Sequence, residues 1–181
     1  TDTRGGQSGL SDSMTPGNIA NLIKSDAVAF RVQFHGDMPK YSQLYWRGPV
    51  LVDFDGATWK MPAFASQGRF DYPKREQLVR YTVTLEPHHK TWLFALDAPA
   101  LAPPNAYMLS DLELRHRRPV NDRLVYDMSS YVVFQYGVET NPAQQTRALQ
   151  FEAERNPRTV ALGRQWAQED PDPRAILRKA G

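Results

Sequence analysis

Asp53 and Asp55 stand two residues apart in Val50-Leu51-Val52-Asp53-Phe54-Asp55-Gly56, a spacing that puts both carboxylates on one side of an extended chain. Paired carboxylates are the equipment of a glycosidase, and clustered ones of a calcium loop. Calcium needs a longer ladder of oxygen ligands than Asp-Phe-Asp-Gly offers, and Asp before Gly is ordinary turn chemistry, so the turn reading is preferred. With Asp97, these are the carboxylates that a stand-alone hydrolase would have to use. Glu86, His88 and His89 invite a zinc reading, but neighbours on an extended chain point to opposite sides and do not converge on one ion. Arg115-His116-Arg117-Arg118 is the one basic cluster, of a kind that meets phosphates or an anionic lipid surface; the plainer reading is a solvated edge guarded against strand pairing. Tyr45, Trp46, Trp59, Trp92 and Phe94 could line a sugar platform, although aromatics in strands are more often core. The chain has no Cys, so it contains no thiolate nucleophile, thiolate zinc site or disulfide. Neither a Ser/His/Asp set nor a Gly-rich phosphate loop can be picked out by spacing. No catalytic, cofactor-binding or metal-ligating residue is assigned, and no cofactor is expected.

The elements that carry these residues are those of an ordinary folded domain. In 181 residues, 41% are hydrophobic, 11% aromatic and 23% charged, which excludes a disordered tail. Lys and Arg number 22 against 20 Asp and Glu, a balance that does not call for nucleic acid. The most apolar stretch, Thr91 to Ser110, is interrupted by Asp97, Pro99, Pro103 and Pro104 and cannot span a membrane as a helix. The polar, Gly-rich stretch Thr1 to Gly9 reads as a processing boundary, which leaves room for an anchor ahead of it.

Residues 1–26 read as a leader with a short amphipathic helix, capped by Thr15-Pro16 and carrying Ile19, Leu22 and Ile23. From Ala27 the period becomes two. Val28, Phe30, Val32 and Phe34 alternate with polar residues, as do Val79, Tyr81, Val83 and Leu85. Asp55-Gly56 reads as the central pair of a tight hairpin turn, between Val50–Phe54 and Ala57–Trp59. Further short strands are expected at Trp92–Leu96, Tyr107–Leu109, Leu112–Arg117, Leu124–Met128 and Tyr131–Val138. This pattern predicts a mainly β domain over residues 27–140, an antiparallel sandwich or open barrel, with Phe30, Val32, Val52, Tyr81, Val83 and Leu85 in its core. Residues 141–155 read as a Gln/Arg-rich linker. Asn156-Pro157 then opens a helix with an incomplete stripe of Val160, Leu162 and Trp166, broken at Pro171-Asp172-Pro173 before Ile176 and Leu177. Residues 156–181 are expected to begin a second, downstream domain and to fold back or pair rather than stay exposed.

Several ordered blocks carry a family resemblance: Gly9-Leu10-Ser11-Asp12-Ser13-Met14-Thr15-Pro16-Gly17, Ser25-Asp26-Ala27-Val28-Ala29-Phe30-Arg31-Val32, Leu44-Tyr45-Trp46-Arg47-Gly48 and Phe54-Asp55-Gly56-Ala57-Thr58-Trp59. Trp92-Leu93-Phe94-Ala95-Leu96-Asp97 and Asn156-Pro157-Arg158-Thr159 continue them in order. They resemble the extracytoplasmic region that precedes the catalytic core in TgpA-type transglutaminase-like membrane proteins of bacteria. The resemblance implies a non-catalytic part of a membrane-anchored parent at the outer face of the bacterial inner membrane. That parent's Cys-His-Asp core, of acyltransferase or cysteine-protease type, would lie downstream and would be this region's partner. A module that binds cell-wall glycan or peptide through Trp46 or Trp59 is the alternative.

Overall fold

The computed structural model describes residues 11–15, 28–62, 72–136, 142–150 and 153–180. The strands in chain order are β1 (Ser13–Met14), β2 (Phe30–Phe34), β3 (Trp46–Arg47), β4 (Asp53–Phe54), β5 (Trp59–Lys60) and β6 (Arg75–Leu85), then β7 (Trp92–Leu93), β8 (Ala95–Leu96), β9 (Ala98–Pro99), β10 (Ala106–Met108), β11 (Leu114–His116) and β12 (Leu124–Phe134). Helices α1 (Pro142–Ala148), α2 (Pro157–Glu169) and α3 (Pro173–Ala180) come after them. The fold is mainly antiparallel β, as the alternation predicts. The leader helix expected after Thr15 lies outside the described residues.

The frame is the pair of 11-residue strands β6 and β12, antiparallel from Leu124 opposite Leu85 to Phe134 opposite Arg75. β2 extends it on one side and the two-residue β9 on the other, in the order β2-β6-β12-β9. Period two sends Tyr81, Val83 and Leu85, with Tyr126 and Met128, to the inner face, where all are buried. Phe30, Val32 and Phe34 are half-buried against the same core. Val52, expected in the core, is half-buried in the loop before β4.

The layer facing this sheet is built from short pieces, in the sheets β10-β11-β7, β3-β8 and β1-β5-β4. Trp92 to Leu96 does not form the single strand expected; it divides at Phe94, whose backbone leaves the ladders. The hydroxyl of Tyr126 takes over both groups, accepting from Phe94 N–H (3.1 Å) and donating to Phe94 C=O (2.9 Å). Tyr81 acts in the same way one step along: its hydroxyl accepts from Leu96 N–H (2.8 Å) and donates to Ser130 Oγ, which donates to Leu96 C=O. Burial pushes the Tyr81 phenol up to about 12 and raises that of Tyr126 as well, so both remain protonated donors.

Other boundaries differ from expectation for local reasons. Leu124–Met128 and Tyr131–Val138 are not separate runs: Ser129 and Ser130 continue the ladder, and Ser130 is fully buried because Tyr81 and Leu96 satisfy its hydroxyl. The strand read from Leu112 starts at Leu114, since Leu112 sits at φ +67° in the preceding turn. Within residues 141–155, read as linker, the chain forms α1 and a 3-10 turn at Ala153–Arg155. In α2 and α3 no residue is buried; Val160, Trp166 and Ile176 are half-covered, while Leu162 and Leu177 are exposed. Within the chain the apolar stripe of this tail is thus at most half-covered, while Asn156 at its head is tied to the β domain. Its helices are joined to each other by Lys179 Nζ on Glu169 Oε2, at 2.8 Å.

Removing one clasp isolates its contribution. Tyr126→Phe keeps the ring and strands the buried N–H and C=O of Phe94, so it should cost about 1–3 kcal/mol in the urea unfolding free energy with an unchanged m-value. A cost near zero would show that the phenol is not what holds this break in the strand.

Candidate docking site on the β4–β5 hairpin

The hairpin that carries Asp53 and Asp55 is the place where distant parts of the chain meet. Its turn is tight, as read, but shifted by one residue. Asp55 and Thr58 flank Gly56-Ala57, with Asp55 N–H donating to Thr58 C=O (3.2 Å) and Gly56 at φ +90°. Asp55 does not occupy a positive-φ position; it braces the turn from outside. Its Oδ1 accepts from the backbone N–H of Ala57 (3.1 Å) and Thr58 (2.8 Å), and Lys60 Nζ sits 2.6 Å from Oδ2. The Lys60 bond, followed by the two backbone bonds, holds the Asp55 carboxyl down at about 2. Phe54 and Trp59 stack across the strands at 4.6 Å.

From the amino-terminal side, β1 pairs with β5, Ser13 opposite Lys60 and Met14 opposite Trp59, and the hydroxyls of Thr15 and Thr58 are 2.9 Å apart. Asp12 extends this anchorage. Its carboxylate accepts from Trp92 Nε1 (3.0 Å) and Lys90 Nζ (2.6 Å). From the other side, Arg147 of α1 forks onto Asp53, with Nε on Oδ1 at 2.7 Å and Nη2 on Oδ2 at 2.6 Å. This planar two-bond geometry fixes orientation as well as distance. Asn156 stands at the N-cap of α2, as read, but its side chain makes no capping bond; its Nδ2 donates instead to Gly56 C=O, at 3.0 Å. Arg155 packs so closely over the turn that a Cβ on Gly56 would lie 2.4 Å from its Cδ. Between α1 and the hairpin lies a cleft of about 630 Å³, lined by Asp53, Phe54, Thr146, Arg147 and Gln150.

The carboxylates proposed for chemistry are therefore each engaged by a cation: Asp53 by Arg147, Asp55 by Lys60 and Asp97 by Arg47. No group of three metal-ligating side chains forms among the described residues. Glu86 lies between Arg123 and Arg31, whose bonds lower its pKa, while His89 turns outward at φ +61° to meet Asn121. His88 is buried and stacks on Trp92, rings 3.9 Å apart and nearly parallel. Trp92 and Phe94 are core, Trp46 is half-buried against Phe30, Phe34 and Tyr81, and only Tyr45 is widely exposed, so the five aromatics do not form one exposed platform.

The edge reading of the basic cluster is corrected. β11 is the central strand of β10-β11-β7, and Arg115 faces inward, donating from Nε to the fully buried Glu113 at 2.7 Å. Burial pushes the Glu113 carboxyl up, against the opposing pull of Val50 N–H (2.9 Å) and Arg115. Glu113 thus ties β11 to the loop that leads into β4. Sequence reasoning missed Glu113, Arg147, Asn156 and Asp12, because nothing in their local pattern names partners 63, 94, 100 and 80 residues away.

A family model described as the TgpA N-terminal domain matches residues 1–136. The chain belongs to the TgpA N-terminal domain family. It is 37% identical over 173 residues to a protein-glutamine gamma-glutamyltransferase of Pseudomonas aeruginosa, covering 95% of this chain and 26% of that protein. It also matches the crystal structure of the periplasmic domain of TgpA from Pseudomonas aeruginosa, with TM-score 0.85 and 37% identity over 94% of this chain and 59% of that one. A second structure of that domain, bound to ethylmercury, gives TM-score 0.83 at 36% identity, over 94% and 61%. The chain thus spans about a quarter of the curated relative and about three-fifths of the solved TgpA domain.

The buried histidine of this TgpA-family chain makes stability depend on pH. Lys90 N–H donates to His88 Nδ1 (3.1 Å), which puts the neutral ring's proton on Nε2, where it is buried without a partner. Burial holds the His88 pKa below its ordinary 6.5, against the weaker opposing pull of the Trp92 and His88 backbone and of Asp12, and with a small push from the nearby His89. The unfolded chain therefore takes up this proton at higher pH than the native one. Its share of stability is complete above about pH 6.5 and is lost as pH falls below it. Urea titrations from pH 7.5 to 5.5 should show that decline, and His88→Phe, which keeps the stack on Trp92, should flatten it.

Proposed function

We propose that this chain is a non-catalytic docking module of a membrane-anchored, transglutaminase-like protein, and that it holds a downstream Cys-His-Asp core in a fixed pose on the extracytoplasmic side of the bacterial inner membrane. The observation that carries this reading is the double grip on one hairpin. Segments before and after the β domain, at Thr15 and at Arg147 and Asn156, bond to the same eight residues, Asp53–Lys60. A position imposed on one side is thereby passed to the other through a few stiff bonds. The relatives support the location and the parent: one is named a protein-glutamine gamma-glutamyltransferase and another is a periplasmic domain. Among the described residues no helix is long and apolar enough to cross a membrane, which suits a part held outside it. Acyl transfer from glutamine by a triad of this kind needs a thiolate nucleophile, and the 181 residues contain no Cys.

The grip is testable at its tightest point. In the full-length parent, Gly56→Ala places a Cβ against Arg155 and strains a left-handed turn position, at about 1–2 kcal/mol. Hydrogen exchange in Pro157–Glu169 should rise at least several-fold, and amine incorporation into a glutamine substrate should fall. Unchanged exchange in α2 would overturn the docking role.

The module itself should be inert and self-sufficient. The 181-residue chain should incorporate no amine, and deletion of the residues after Gln150 should leave one cooperative unfolding transition, because the core closes on β6, β12 and the strands facing them. Loss of cooperativity on that deletion would place the tail inside the β domain.

A further inference from the structure

The basic cluster supplies a surface that the docking role does not use. The loop after β6 (residues 86–91) and the loop before β12 (residues 117–123) run side by side: His88 and His89 N–H donate to Val120 C=O, and Val120 N–H to Lys90 C=O. His116 N–H joins them by donating to Thr91 C=O. Lys90 of one loop and Arg117, Arg118 and Arg123 of the other are thereby gathered at one end of the central sheet, beside Arg31 of β2. Their opposing charges are fewer. Glu86 is shared between Arg31 and Arg123, and Asp12 serves Lys90. Arg117 and Arg118 are exposed and have no carboxylate partner among the described residues. Asp122 is the one other acid of the two loops.

We propose that this end of the module rests on an anionic phospholipid surface, with Arg117 and Arg118 as its principal contacts. The groups stand on exposed loop tips drawn from several parts of the chain. A spread of cations of this kind suits a sheet of phosphate headgroups, which meets many at once, better than a single phosphate, which would need them to converge. Residues 115–118 look like a linear basic motif, but Arg115 is withdrawn to Glu113, which leaves Arg117 and Arg118 as its exposed cations. The inference does not rest on the docking reading, since it concerns what this chain does alone.

The test is flotation of the 181-residue chain with phosphatidylcholine vesicles, with and without phosphatidylglycerol. Binding is expected with phosphatidylglycerol only and should weaken steeply with added salt. Arg117→Ala/Arg118→Ala should weaken it by about 30-fold, at about fivefold per arginine. Arg158→Ala/Arg164→Ala removes the same charge from exposed positions on α2 and should leave binding unchanged. Equal binding to pure phosphatidylcholine, equal losses in the two double variants, or no binding at all would overturn the proposal. So would displacement by millimolar inorganic phosphate at constant ionic strength, which would indicate a pocket for the free anion.

Discussion

Two phenolic hydroxyls allow the second layer of this domain to be as irregular as it is. Trp92 to Pro99 passes through three two-residue strands that belong to three different sheets, so its backbone groups repeatedly leave one ladder before joining another. Buried amides left in that state would each cost about 1–3 kcal/mol. Tyr126 and Tyr81 reach across from the long strands and meet Phe94 and Leu96 directly, with Ser130 as an intermediary. The regular sheet thus lends hydrogen-bonding capacity to the layer above it, and the freedom gained lets β7, β8 and β9 pair in turn with β11, β3 and β12.

The same exchange of capacity explains how much is legible in the sequence. The faces of β2 and β6 are legible because their apolar residues obey period two and the inner face is buried by the rest of the core. β12 reads as two runs because Ser130 looks polar in one dimension; only Tyr81 and Leu96 make it a core residue. The tight turn at Gly56 is legible from its dipeptide, and its one-residue offset is not, since Asp55 braces the turn through Lys60 and two backbone amides. For the candidate site, Asp53 and Asp55 stand out in the sequence as unusual, but for the wrong chemistry. Their partners arise from packing, and Arg147 in a Gln/Arg-rich stretch carries no local mark of its destination. The helix around it reads as linker because it lacks the apolar stripe by which helices are found.

Membership in the TgpA family and the double grip on the hairpin describe the same object from two directions. The family match ends at residue 136, while among the described residues the bonds that fasten the β domain to the helical tail begin at Arg147. Those bonds are of modest individual strength. Asp53 and Arg147 are each about a third exposed, and such a pair contributes at most about 1 kcal/mol. Precision here comes from geometry: a planar fork, an amide on a turn carbonyl and a side chain laid over a glycine leave few alternative arrangements.

The brevity of β4 and β5 bears on the order in which the chain assembles. Two residues per strand and a two-residue turn are too little to persist alone in water. The hairpin gains its neighbours only when Thr15 and Arg147, 43 and 94 residues from their partners, have been brought in. The bonds that hold the hairpin are complete only when Asn156 is in place, so the segment that leads out of the module also completes it.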